Sequence, residues 1–232
     1  MECRRLTLDG IPALLWGEPS DKLYLCIHGQ GGCKEEAESI SRIVGRGGWQ
    51  VLSIDLPEHG ERRCETDAFD PWHAVPELRQ VMCYVRLRWN RIALLANSIG
   101  AWFSLLAFSE QPPERCLFIS PVLDMERLIE TMMGWAGVTR EQLEQEGKIS
   151  TDFGQTLSWD YRQYAREHPV AHWDCPTWIL YTGQDTLTER VVAEAFTRRF
   201  QAHLTVMENG EHWFHTPPQL RFRDQWIQMY YQ

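Results

Sequence analysis

LLANSIGAWFSLL, residues 94–106, sets a serine between an apolar run and a helical pattern. Leu94, Leu95 and Ala96 read as the close of a buried strand. Ile99, Phe103 and Leu106 recur at helical spacing, with Trp102 beside them. Ser98 therefore stands where the chain must turn sharply from one element into the next. A serine there can cap the helix, since its oxygen accepts from the free N–H groups of a first turn. It can also be a nucleophile held up on a strained strand-to-helix elbow. The stretch alone leaves both readings open.

Outward from Ser98 the pattern repeats. LYLCIH (23–28), VLSID (51–55), IALLA (92–96), RCLFIS (115–120), TWILYT (177–182) and LTVM (204–207) are short apolar runs separated by helix-length segments. Runs without alternation suit strands covered on both faces, and strand–helix alternation predicts an α/β fold with a mostly parallel sheet flanked by helices. RRLTLDGIPALLW at the start predicts an antiparallel hairpin turning at Asp9-Gly10. The rhythm breaks between Asp124 and Cys175, so residues of about 125–174 predict a mainly helical cap inserted into a single domain spanning 1–232. Within it Thr139 and Gln142 form a capping box, and the DFG at 152–154 lacks every other kinase element.

Composition narrows the function. A net charge of −9 leaves no basic face for nucleic acid. No run nears the roughly 18 apolar residues of a membrane span. The start of the chain shows no apolar stretch of signal-peptide length, and the seven scattered cysteines contain no C-x-x-C pair. These features predict a cytoplasmic protein with reduced thiols.

Four points fall at the ends of strands: the glycine-rich HGQGG (28–32), Ser98, Asp185 in GQDTLTE, and His212 in NGEHWFH. Each has an ordinary explanation, as a tight turn, a cap, a turn aspartate or one of eight histidines. The last three in the chain order Ser…Asp…His, each at a strand's C-terminal end, make coincidence a poor account.

With LCIHGQGG, VLSIDLPEHGER, the Ser98 elbow, PTWILYTGQD and GEHWF together, the whole chain resembles a serine hydrolase of the α/β-hydrolase superfamily. No single subfamily stands out. The elbow reads Ala-x-Ser-x-Gly where the family pattern is Gly-x-Ser-x-Gly, a difference of one methyl at Ala96. The resemblance implies Ser98 as nucleophile, His212 as base and Asp185 as the acid that orients it. It implies an oxyanion hole from the backbone N–H groups of Gln30 and Ile99. Asp124, after the strand at 115–120, is the rival for the acid. His212 and His215 lack a third ligand at metal-binding spacing, so no metal is expected, and this chemistry needs no cofactor. His59 reads as a residue that shapes its loop.

The expected substrate is a small acyl compound cleaved at a carboxylic ester. Thioesterase, lysophospholipase-like and amidase or peptidase activities run on the same triad, and a catalytically silent fold serving as a binding module is a separate possibility. Met132, Met133, Trp135, Trp159 and Trp173 of the cap, with Trp102 and Trp213, suit either an apolar acyl pocket or ordinary packing. Oligomeric state is not readable from these residues.

Overall fold

The computed structural model describes residues 2–232. The chain opens with β1 (Cys3–Leu8) paired antiparallel with β2 (Ile11–Trp16). Asp9 (φ 49°) and Gly10 (φ 94°) both take positive φ, as a two-residue hairpin turn of type I′ requires. Next come β3 (Lys22–Ile27), α1 (Ala37–Val44), β4 (Gln50–Ile54), α2 (Pro71–Arg86), β5 (Arg91–Asn97), α3 (Ile99–Phe108) and β6 (Arg115–Ile119). The chain then leaves the sheet for α4 (Met125–Ala136), α5 (Arg140–Glu146), a small hairpin of β7 (Lys148–Ser150) and β8 (Thr156–Ser158), and α6 (Trp159–Glu167). It returns through β9 (Thr177–Thr182), α7 (Arg190–Phe200), β10 (His203–Met207) and α8 (Pro217–Tyr230). The eight-stranded sheet runs β1-β2-β4-β3-β5-β6-β9-β10, antiparallel at the β1 edge and parallel from β4 to β10.

The apolar runs are continuous because each strand feeds two cores. Successive side chains of a strand point to opposite faces. Leu23, Leu25, Ile27, Leu94 and Ala96 join one core with α2 and α3, while Tyr24, Cys26, Ala93 and Leu95 join the other with α1 and α8. Both faces are thus covered, as an α/β fold demands. Phe118 is wholly buried in the first core, and truncating such a side chain to alanine typically costs about 3–5 kcal/mol.

The segment between β6 and β9 packs onto that first core through Leu128, Ile129, Met133, Leu143, Leu157 and Ala165. Buried Arg162 binds α6 to α4, donating to Glu130 at 2.6 Å. Thr139 and Gln142 make both bonds of their capping box. The segment is less helical than its sequence suggests, because residues 148–158 form the β7–β8 hairpin. Its turn is closed by Thr151, whose N–H and hydroxyl both donate to the Gln155 carbonyl, and DFG lies inside that turn. Among the described residues no helix is long and apolar enough to cross a membrane.

Candidate active site

Ser98 links β5 to α3 in a backbone conformation of φ 50°, ψ −122°. A non-glycine residue held there costs on the order of 1–3 kcal/mol. Surrounding hydrogen bonds hold it: the Ser98 N–H donates to the Ile119 carbonyl (3.0 Å), and its own carbonyl accepts from Ala101 (3.1 Å) and Val122 (3.0 Å). The side chain caps no N–H of α3. Its hydroxyl instead donates to Nε2 of His212 at 2.8 Å. The turn is tight enough that a Cβ at Gly100 would collide with the His28 carbonyl oxygen. The extra methyl of Ala96 sits fully buried among the first core's residues, where the fold accommodates it.

His212 lies in the loop after β10, and Asp185 lies just past the end of β9. Nδ1–H of His212 donates to Oδ2 of Asp185 at 2.8 Å. The other carboxylate oxygen, Oδ1, accepts the backbone N–H groups of Leu187 (2.8 Å) and Thr188 (3.0 Å). Those two amides fix the carboxylate, so its free oxygen faces the imidazole. The Asp185 side chain is fully enclosed, and that of His212 is one-tenth exposed. With Nδ1 donating, Nε2 is left as the acceptor toward Ser98. Asp124 lies elsewhere in the network: its Oδ1 accepts the Arg127 N–H and caps α4.

The HGQGG loop passes beside Ser98, with Gly29 close enough that a Cβ there would lie 3.1 Å from the serine Cβ. Two imidazoles stitch this loop to the chain after β4. Nε2 of His28 accepts the Leu56 N–H (3.0 Å), while its Nδ1–H donates to the Gly29 carbonyl (2.7 Å). Nε2 of His59 accepts the Gly31 N–H (2.9 Å), and its Nδ1–H donates to Pro57 (2.7 Å). Burial pushes His28 down to about 4, against the opposing pull of the Gly29 hydrogen bond, so it is neutral at pH 7. A third tie is ionic. Lys34, 1% exposed, reaches wholly buried Asp55 at 2.7 Å, with Glu61 (2.6 Å) and Glu35 (2.9 Å) completing the cage. Asp55 also accepts the backbone N–H groups of Lys34 and Glu61, so one carboxylate binds both loops. Between these anchors the N–H of Gln30 meets no protein acceptor among the described residues, and neither does the N–H of Ile99 at the start of α3.

Ser98 stands where two clefts meet. One, of about 170 Å³, lies beneath α4 and β8 and contains Ile99. The other, of about 540 Å³, lies between the HGQGG loop, α1 and the start of α8, and contains His212. Gln30 borders both, and its side-chain amide donates to Gln155 of the β7–β8 turn at 3.1 Å. The structure thus brings Ser98, Asp185 and His212 into one chain of hydrogen bonds, with Gln30 and Ile99 beside it. His215 bonds back to the Trp213 carbonyl instead. Sequence reasoning missed the anchoring roles of His28, Lys34 and Asp55. Their only signal was the presence of a His and a Lys beside the glycines, and of an Asp at the end of β4. Among the described residues no three His, Cys, Asp or Glu side chains converge as metal ligands.

A parallel sheet with a serine elbow after β5, an aspartate after β9 and a histidine after β10 defines a class of protein. The chain belongs to the alpha/beta hydrolase family, whose family model matches residues 24–225. No curated protein matches it in sequence. Among solved structures it is similar to Est1E from Butyrivibrio proteoclasticus with ferulic acid bound (TM-score 0.77, 17% identity, 98% of this chain and 97% of that one). It is also similar to a putative hydrolase from Agrobacterium vitis S4 (TM-score 0.78, 18% identity, 98% of each chain). A thioesterase domain from the curacin biosynthetic pathway aligns at a TM-score of 0.62 and 17% identity, over 98% of this chain and 99% of that one. At such identities the likeness is one of fold.

Proposed function

We propose that the protein is a serine hydrolase that cleaves carboxylic esters through an acyl-enzyme. The observation that carries this reading is the relay of two 2.8 Å hydrogen bonds from Ser98 through His212 to Asp185. A serine hydroxyl is a weak nucleophile at neutral pH and needs a base within hydrogen-bond reach. Nε2 of His212 takes the proton as Oγ attacks the carbonyl carbon, and Asp185 steadies the imidazolium that forms. Negative charge then gathers on the carbonyl oxygen. The free N–H groups of Gln30 and Ile99 receive it, each such donor being typically worth about 3 kcal/mol. His212 passes its proton to the leaving group, then activates a water that releases the acid and restores Ser98. The segment 125–174 acts as a cap that bounds the acyl side of the site. Thioester cleavage would use the same steps, and a solved neighbour named as a thioesterase domain keeps it within the class.

Labelling by a fluorophosphonate probe tests the reading, together with hydrolysis of 4-nitrophenyl butyrate. The wild type should label and turn over, and Ser98→Ala should do neither while retaining its fold. A folded wild type that neither labels nor hydrolyses the ester would overturn the proposal and leave a binding module with a hydrolase fold.

A further inference from the structure

The tetrahedral intermediate fixes which cleft holds which half of the substrate. This step rests on the proposed serine hydrolase reading. Four groups surround the former carbonyl carbon: Oγ of Ser98, the oxyanion, the leaving-group oxygen and the acyl chain. The oxyanion faces the N–H groups of Gln30 and Ile99. The leaving oxygen must face Nε2 of His212, which supplies its proton. His212 lines the larger cleft and not the smaller one. The leaving group therefore extends into the larger cleft, and the acyl chain takes the direction that remains, beneath α4 and β8.

The two clefts differ in chemistry. Val122, Met125, Leu128, Ile129, Met132 and Leu157 line the smaller one. At about 170 Å³ it is below the range of roughly 300–1,000 Å³ typical of pockets that enclose a whole ligand, so it suits a short apolar acyl group. The larger cleft is bordered by Glu36, Arg223, His212 and His215, with Asn97 and buried Ser120 beneath them. Arg223 donates to Asp224 through Nε (2.9 Å) and Nη2 (2.6 Å), so two of its three nitrogens are already engaged with a carboxylate. His215, also on this cleft, lies 3.8 Å from Glu211. Among the described residues bordering the cleft Arg223 is the single Lys or Arg, it is paired with Asp224, and Glu36 opposes an anion there. We infer that the substrate joins a short apolar acyl group to a neutral, hydroxyl-rich alcohol, and that multiply anionic thioesters such as acyl-CoA are excluded.

Two isomers separate the halves. 1-Butyrylglycerol places the butyl-like chain on the acyl side and the diol on the leaving side, and butyl glycerate reverses them. With kcat/KM as the readout, butyrylglycerol should be at least tenfold the better substrate. S-butyryl thioglycerol should exceed butyryl-CoA by a similar factor. Met132→Trp, which fills the acyl cleft, should lower kcat/KM for butyrylglycerol more than for acetylglycerol. Arg223→Met should reduce the preference between the isomers at least threefold. Fluorophosphonate labelling keeps the two levels apart. A labelled enzyme that favours butyl glycerate, shows no preference or accepts butyryl-CoA equally well overturns the inference and leaves the serine hydrolase standing. A wild type that does not label removes both.

Discussion

Replacing Asp185 by asparagine changes one atom and reverses a hydrogen-bond chain. The two backbone amides of Leu187 and Thr188 point at Oδ1, so they demand an oxygen at that position. The asparagine NH2 is then forced to the other side, facing Nδ1 of His212. It can only donate, so Nδ1 must become the acceptor and the ring proton moves to Nε2. Nε2–H points at Ser98 Oγ and can no longer take its proton. The loss expected for a wrong tautomer is about 10⁴ in kcat, or roughly 5 kcal/mol of transition-state stabilisation. Folding should change by only about 1 kcal/mol, because the amide bonds to Oδ1 survive. Asp124→Asn is the matched control: asparagine caps a helix as well as aspartate does, so α4 and the activity should both persist. Steady-state hydrolysis of 4-nitrophenyl butyrate by both variants, with urea midpoints for folding, makes the comparison. Less than a tenfold loss in Asp185→Asn, or a larger loss in Asp124→Asn, would refute the assignment of the acid.

Ser98→Gly should be inactive yet as stable as wild type or more so. Relief of about 1–3 kcal/mol of strain at φ 50° meets a glycine entropy cost of about 0.5–1 kcal/mol; a loss of more than about 1 kcal/mol in urea would contradict a strained elbow. His28 should make stability pH-dependent in a defined window. Its unfolded value is near 6.5 and its folded value about 4, so below pH 6.5 the unfolded state binds the extra proton. Its contribution is complete above pH 6.5 and falls as pH drops toward 4, by about 3 kcal/mol in all. Urea titrations between pH 7 and 4 should show a shallower decline for His28→Asn than for wild type, and parallel declines would disprove the assignment.

The parts legible in the sequence are those set by local pattern and chain order. The Asp9-Gly10 turn is decided by two neighbouring residues. The positions of Ser98, Asp185 and His212 follow from the strands that precede them, because a parallel sheet carries all these strand ends to one edge. The β7–β8 hairpin was hidden for a physical reason: each strand has three residues, too few for alternation to show, and each pairs only with the other. The bond from His28 to Leu56 and that from His59 to Gly31 join residues 28 apart, with no local signature to announce them. Lys34 misleads outright, since a lysine between a cysteine and two glutamates reads as surface.

Lys34 and Asp55 also constrain how this protein can change. Loss of Lys34 strands the Asp55 carboxylate in the interior, typically at a cost of about 3–5 kcal/mol, against a total stability of about 5–15 kcal/mol for a folded domain. Loss of Asp55, by contrast, leaves Lys34 paired with Glu61 and Glu35. Replacing both with apolar groups removes the stranded charge but still leaves the Lys34 and Glu61 backbone N–H groups without their acceptor. The two sites are therefore coupled, since the cost of an exchange at one depends on the residue that stands at the other. Of the two, position 34 is the harder to vary alone, because among the described residues no other cationic side chain pairs with the Asp55 carboxylate.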